Sequence, residues 1–263
     1  MIRSGNPALQ AFSKPQTWDS LGGLAANPAR ARAMTVQGTA IKALVLLAIC
    51  ATTAIVTWQQ LDLSNLGKWA MTACLGSLVV GLGCSLAIRF APKSAVVVAP
   101  AYAAVQGAFL AVFSAVIGLQ FKGKMDPALV MQAVTATLGV AGGLFALYSA
   151  GLVRMSGTVM KVVMAASAGV FVYALAILIG NRFLGLGIPS LFSSTSPLGF
   201  LFTGVCVVLA SLNLVMDFQQ IDDGAAAGAP KHMEWVGAHG LLVSIVWLYV
   251  ELLRLLAKLR ADD

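Results

Sequence analysis

Charge is what this sequence has least of: Asp, Glu, Lys and Arg make up 10% of its 263 residues, against about 25% in an ordinary soluble domain. So few charges exclude a water-soluble domain of this size. Histidine occurs only as His232 and His239, and neither has a second ligand at a metal-binding spacing such as HExxH. The four cysteines, Cys50, Cys74, Cys84 and Cys206, lie inside apolar runs with no CxxC. That excludes a zinc ribbon and a disulfide framework, and the thiols read as small buried hydrophobes. There is no GxSxG, no P-loop, no GxGxxG between strand and helix, and no nucleophile with an adjacent base. The expectation is a protein that is not an enzyme and carries no resident cofactor. The net charge of +7 would suggest nucleic acid in a soluble chain. Here the basic residues are scattered over helix ends and loops, so membrane topology explains them and no nucleic-acid partner is expected.

What is present is apolar sequence: 59% of residues are hydrophobic and the mean hydropathy is +0.87. Seven apolar blocks fall at 41–58, 69–88, 95–119, 128–152, 157–180, 198–221 and 235–257. Each is near the ~20 residues needed to cross a hydrocarbon core of ~30 Å. The separators carry loop chemistry: Gln59 to Lys68 is polar, Arg89 to Lys93 holds Pro92, Lys122 to Pro127 is charged, and Gly185 to Pro197 is rich in Gly, Ser and Pro. The predicted fold is an all-α membrane protein, a seven-transmembrane helix bundle. Its domains are a flexible cytoplasmic N-terminal arm over 1–39 and a single membrane domain over 40–263. The arm has Pro7, Pro15 and Pro28 among Arg3, Lys14, Arg30 and Arg32, without the small-residue cleavage pattern of a secretory signal. Basic residues place it, with Arg89, Lys93, Arg154 and Lys231, on the inside, and the C-terminus outside. A six-span reading with one re-entrant block stays open.

The second block contains Gly76, Gly81 and Gly83 and the fourth Gly139, Gly142 and Gly143, small residues of the kind that let membrane helices approach closely. Chance abundance of Gly in such helices is the alternative. Gly142-Gly143 and Gly237 to Gly240 are the only candidates for the broken helices of a transporter, and no internal repeat supports that class. Near the end of the sixth block Asn213, Asp217 and Gln220 fall at i, i+4 and i+7, one helical face. Either they form a polar stripe inside the bundle or the helix is leaving the membrane, since Asp222 and Asp223 follow. Glu251 interrupts the leucine-rich last block. Arg254 at i+3 and Lys258 at i+7 allow an ion pair at the bilayer edge, whereas the flanking Trp247, Tyr249 and leucines allow a deeper position. An acid inside a membrane helix usually faces the bundle interior and serves function. His239 reads as a satisfied or interfacial histidine.

The last two blocks resemble the Bax inhibitor-1 family, which includes bacterial calcium-leak and YccA-type members. The sixth span of that family ends in an acid-containing Y-D-x-x-x-I pattern, here Met216-Asp-Phe-Gln-Gln-Ile221. Its last span has an A-L-S-L-Y-L-D-F-I-N-L-F-x-x-L-L-R pattern, here running from Ala238 to Leu252-Leu-Arg254. The resemblance implies six helices around a central seventh, the C-terminal one. It also implies a pH-sensitive calcium leak in an inner membrane, gated by facing aspartates of the sixth and seventh spans with an arginine at the end of the second. Carried over, Asp217 takes the first aspartate's place, where calcium would meet it in transit, and Arg89 takes the arginine's. Alignment on Leu-Leu-Arg puts Ser244 in the second aspartate's place, a residue that hydrogen-bonds but does not titrate near neutrality. Glu251 lies two turns further, about 10 Å along the helix, as an ion-paired residue or a displaced second acid. Asn213 completes the expected ion path. Some relatives regulate membrane proteolysis, so the alternative expectation is a stress-survival protein whose arm is grasped by a membrane protease.

Overall fold

In the computed structural model, residues 33–61, 66–123, 125–182 and 184–261 are described. Most of the arm, residues 1–32, lies outside the described residues. Among them every apolar block is a helix: α1 (Val36–Gln60), α2 (Leu66–Phe90), α3 (Ala95–Lys122), α4 (Pro127–Ser149), α5 (Gly157–Arg182), α6 (Pro197–Ala226) and α7 (Met233–Ala261). The helix ends follow the loop chemistry. Asp126 caps α4 by accepting from the Ala128 and Leu129 amides with Pro127 as the first helical residue, and Ser196 with Pro197 does the same for α6. Gly123 ends α3 in the left-handed region at φ 67°. Thr35 caps α1, so this helix starts at Val36 and residues 36–39, read as arm from the sequence, are helical.

Among the described residues six helices are long and apolar enough to cross a bilayer: α1, α3, α4, α5, α6 and α7. In α2 the apolar stretch among the described residues is the shorter Leu75–Phe90. α7 packs against α1, α3, α4 and α6, whereas α5 packs against α6 and α2 against α3. Consequently 61% of the most apolar window of α7 is buried, against 6% in α5. Leu242 and Leu248 of α7 are enclosed together with Leu46 of α1, Ala99 and Ala103 of α3, and Ala210 and Leu214 of α6, and Leu253 packs with Ile117 of α3 and Leu129 and Ala133 of α4.

Hydrocarbon gives no hydrophobic drive between helices, so close packing must hold them together. The glycines that allow it differ from those the sequence suggested. Gly76, Gly83, Gly139, Gly142 and Gly143 face open space, where an added β-carbon would meet nothing within 4 Å. The close approaches lie elsewhere. A β-carbon on Gly107 of α3 would run into Thr53 and the Cys50 carbonyl of α1, and one on Gly237 would come within 3.0 Å of Ile221 of α6 and Thr39 of α1. The Gly142-Gly143 and Gly237 to Gly240 stretches lie inside unbroken helices, so neither is a helix break.

Candidate functional site

The last third of α6 lies along the first half of α7, and the seam is narrow because α7 presents Gly237 and Gly240 to it. A β-carbon on Gly240 would lie 3.5 Å from Asp217 Oδ1. One turn further along α7, the Ser244 hydroxyl donates to Asp217 Oδ2 at 2.5 Å. The two residues that the register of Leu252-Leu-Arg254 put opposite each other do meet. Ser244 is 6% exposed and Asp217 half-buried, with the buried Leu214, Met216 and Ile221 around it on α6. Among the described residues Asp217 has no ion pair.

Arg89 does not join them. It is exposed in the last turn of α2 and has no ion pair or hydrogen bond among the described residues. The reason is topological: α2 packs on α3, while Asp217 lies in the α6–α7 seam. The counter-charge expected from the resemblance is therefore absent from this arrangement.

The polar stripe on α6 divides among several partners instead of forming one path. Asn213 Nδ2 donates to Ser167 Oγ of α5 at 2.7 Å and to the Leu209 carbonyl of its own helix. Gln219 exchanges hydrogen bonds with the backbone of Met155, and Tyr148 donates to Asp222 Oδ2 at 2.6 Å. Gln220 is exposed. Asp217 alone of this stripe faces α7. Asn213 pins α5 and does not extend the site.

Glu251 is both ion-paired and deep. It is 1% exposed, and its Oε1 accepts from Arg254 at 2.9 Å and from Trp247 Nε1 at 3.2 Å. Oε2 is buried and has no donor among the described residues. The Arg254 guanidinium sits over the rings of Phe113 and Phe192, 5.1 and 4.5 Å from their centroids, which shields the pair from solvent. Of the two readings of Glu251, the ion pair with Arg254 is present, and it is enclosed within the helix bundle. Lys258 is not part of it, because its fully buried ammonium turns to α6 and donates to Thr203 Oγ1, the Gly199 carbonyl and the Leu191 carbonyl.

Sequence reasoning missed Glu234. In the first turn of α7 it looks like an ordinary helix-start acid, yet it is fully buried. Its Oε1 accepts from the Thr35 amide and hydroxyl, both at 2.9 Å, and pairs with Lys231 at 3.0 Å. Its Oε2 pairs with Lys42 of α1. The only local hint was Lys231 three residues earlier; Thr35 and Lys42 arrive through the fold. Beside this cluster Met34 donates to the Ala229 carbonyl at 2.6 Å and Ala33 bridges to Pro230. His232 lies in the turn before α7, away from metal-type partners. His239 is buried, edge-on to Tyr102 at 4.5 Å and with Nε2 3.5 Å from Ser85 Oγ, while Nδ1 has no partner among the described residues. The histidine expected to be satisfied is half satisfied.

No cluster of three or more His, Cys, Asp or Glu suited to a metal occurs among the described residues. Asp217 and Ser244 supply too few oxygens for a resident calcium ion, which takes 6–8. No curated protein matches the chain. The sequence model of one family, described as Bax inhibitor 1 like, matches residues 6–261. That span takes in all seven helices and the α6–α7 seam with its Asp217–Ser244 pair, and the protein belongs to the Bax inhibitor 1 like family.

Proposed function

We propose that the protein is a seven-span inner-membrane protein with a cytoplasmic N-terminus and α7 as its central span, acting as a pH-sensitive leak for calcium or a similar cation. The carrying observation is a carboxylate at a helix seam whose side-chain partner is neutral: Asp217 meets the Ser244 hydroxyl and, among the described residues, no cation.

The hydroxyl suits a gate because it serves both protonation states. It donates to an ionised carboxylate and accepts from a protonated one, so the seam keeps its hydrogen bond as the charge changes. Ionised, Asp217 offers a passing cation a negative charge where hydrocarbon would otherwise repel it. Two fixed oxygen donors hold a hard cation weakly, which suits passage better than storage.

Chain connectivity supports the seven-span reading. Ala33, before α1, bridges to Pro230, after α6, so these two points share one side of the bilayer. An even number of crossings must separate them. α1, α3, α4, α5 and α6 make five, and α2 supplies the sixth.

The test is calcium entry into liposomes holding the purified protein and an internal indicator, measured from acid to neutral pH. Pure protein should admit calcium in a pH-dependent manner, and Asp217→Asn should remove that dependence. No entry at any pH, or the same profile in Asp217→Asn, rejects the proposal.

A further inference from the structure

A second feature lies on the other side of α7, away from Asp217. α1 and α4 do not pack on each other, and between them, floored by α3 and α7, runs a groove of about 500 Å³. Its size is within the ~300–1,000 Å³ of ligand pockets, and it opens sideways, beside exposed Ile55, Met131 and Leu138.

The lining decides what can occupy it. Alanine, valine, leucine and isoleucine dominate, and the hydroxyls of the floor and of the α4 wall are already engaged. Ser114 donates to the Leu110 carbonyl at 2.6 Å and lies 2.8 Å from Tyr249 Oη, and Thr137 donates to the Ala133 carbonyl at 2.7 Å. Water needs two to four polar partners to settle in such a space and finds almost none here.

The groove also has a length and an end. On α1 it runs from Leu47 to Trp58, and on α4 from Leu138 back to Pro127. Twelve residues of helix on each wall rise about 16 Å, close to one half of the ~30 Å hydrocarbon core. Trp58 and Gln59 stand at the end where α1 finishes and α4 begins. Just beyond Pro127, Asp126 pairs with Arg260 at 2.8 Å. Tryptophan followed by charge marks the level of lipid headgroups.

We propose that this groove binds one acyl chain of a membrane phospholipid, its tail lying from Trp58 to Leu47 and its headgroup beside Asp126 and Arg260. The inference rests on the helices spanning a bilayer and is independent of whether Asp217 gates ions. The bound chain supplies the packing that α1 and α4 do not give each other, and it supports Val246 and Tyr249 of α7 close to Ser244.

The experiment is native mass spectrometry of the full chain purified in mild detergent, with the bound lipid identified by mass. Wild type should carry a phospholipid. Ala54→Phe, which puts a ring into the groove, should lower retention by about tenfold, whereas Val172→Phe on the lipid-facing surface of α5 should not. Wild type without phospholipid, with free fatty acid or detergent alone, or with Ala54→Phe retaining as much, overturns the proposal. Should Ala54→Phe fail to fold, wild type in nanodiscs is photolabelled with a phospholipid carrying a diazirine on its tail. Adducts concentrated on residues 51–58 and 127–138 support the site, and adducts spread evenly over these and α5 reject it. Calcium flux enters neither readout, so failure of the leak reading leaves this result untouched.

Discussion

Glu234 and Asp217 are both carboxylates packed into the first half of α7's surroundings, and they are treated in opposite ways. Glu234 collects four donors, two of them lysines, with each oxygen occupied by a cation. Asp217 collects one hydroxyl. A buried carboxylate with both oxygens held by cations is locked in one ionisation state and one position, because any change strands its partners. An acid with a single neutral partner can change its proton or ion at small structural cost. Under the proposed leak, the contrast separates a fastening from a working group on neighbouring seams of α7: Glu234 ties Thr35 and α1 to α7 beside the α6–α7 seam that holds Asp217.

The sharpest way to break this comparison is to remove the fastening. Glu234→Ala leaves the Lys42 ammonium and the Thr35 amide without their acceptor. Losing one member of a buried pair costs about 3–5 kcal/mol, so thermal unfolding in detergent should start well below that of wild type. Asp217→Asn, which keeps a hydrogen-bonding group of the same shape, should unfold close to wild type. If Glu234→Ala proves as stable as Asp217→Asn, the distinction between the two acids collapses.

The second effect is functional and falls on the other acid. Ser244→Ala removes the single partner of Asp217, a loss of about 1 kcal/mol, and should change the pH profile of calcium entry while leaving the unfolding temperature nearly unchanged. Glu234 variants that still fold should keep the wild-type profile. A Ser244→Ala protein with the wild-type profile would show that the hydroxyl is bystander packing.

Glu251 supplies an intermediate case, with one oxygen paired to Arg254 and the other without a donor. Glu251→Gln retains an acceptor for Trp247 and Arg254 and loses only the charge. Its unfolding should fall between Glu234→Ala and Asp217→Asn, by about 1–2 kcal/mol relative to wild type. A loss as large as that of Glu234→Ala would mean that Oε2 has a partner in the membrane.

These residues also show where the sequence was legible. All seven helices could be read because apolar length is a local property, recorded block by block. The Asp217–Ser244 contact was one of two, the other being with Arg89, that the family resemblance offered through Met216-Asp-Phe-Gln-Gln-Ile221 and Leu252-Leu-Arg254. Glu234 could not be read, since Thr35 and Lys42 stand 199 and 192 residues away in the chain and leave no periodic trace. Lys258 was misread for a related reason: at i+7 from Glu251 it looks like a member of that acid's ion pair until the facing helix offers it Gly199 and Thr203. The closely approached glycines escaped because abundance marks Gly139, Gly142 and Gly143, whereas Gly107 and Gly237 are singled out by what crosses them.

The smallest effect is expected at Arg89, and it tests how far family analogy extends. The resemblance made this arginine the counter-charge of Asp217, yet α2 carries it on the exposed side of its last turn, packed toward α3. An exposed cation with no partner among the described residues neither pairs with Asp217 nor holds a helix in place. Arg89→Ala should therefore leave both the unfolding temperature and the calcium profile of wild type unchanged, in contrast to Ser244→Ala. A shifted profile in Arg89→Ala, reverted by Arg89→Lys, would mean that α2 swings its last turn toward the α6–α7 seam during the cycle. Asp217 would then alternate between a hydroxyl and a guanidinium, and its apparent freedom from cations would describe one state of the gate.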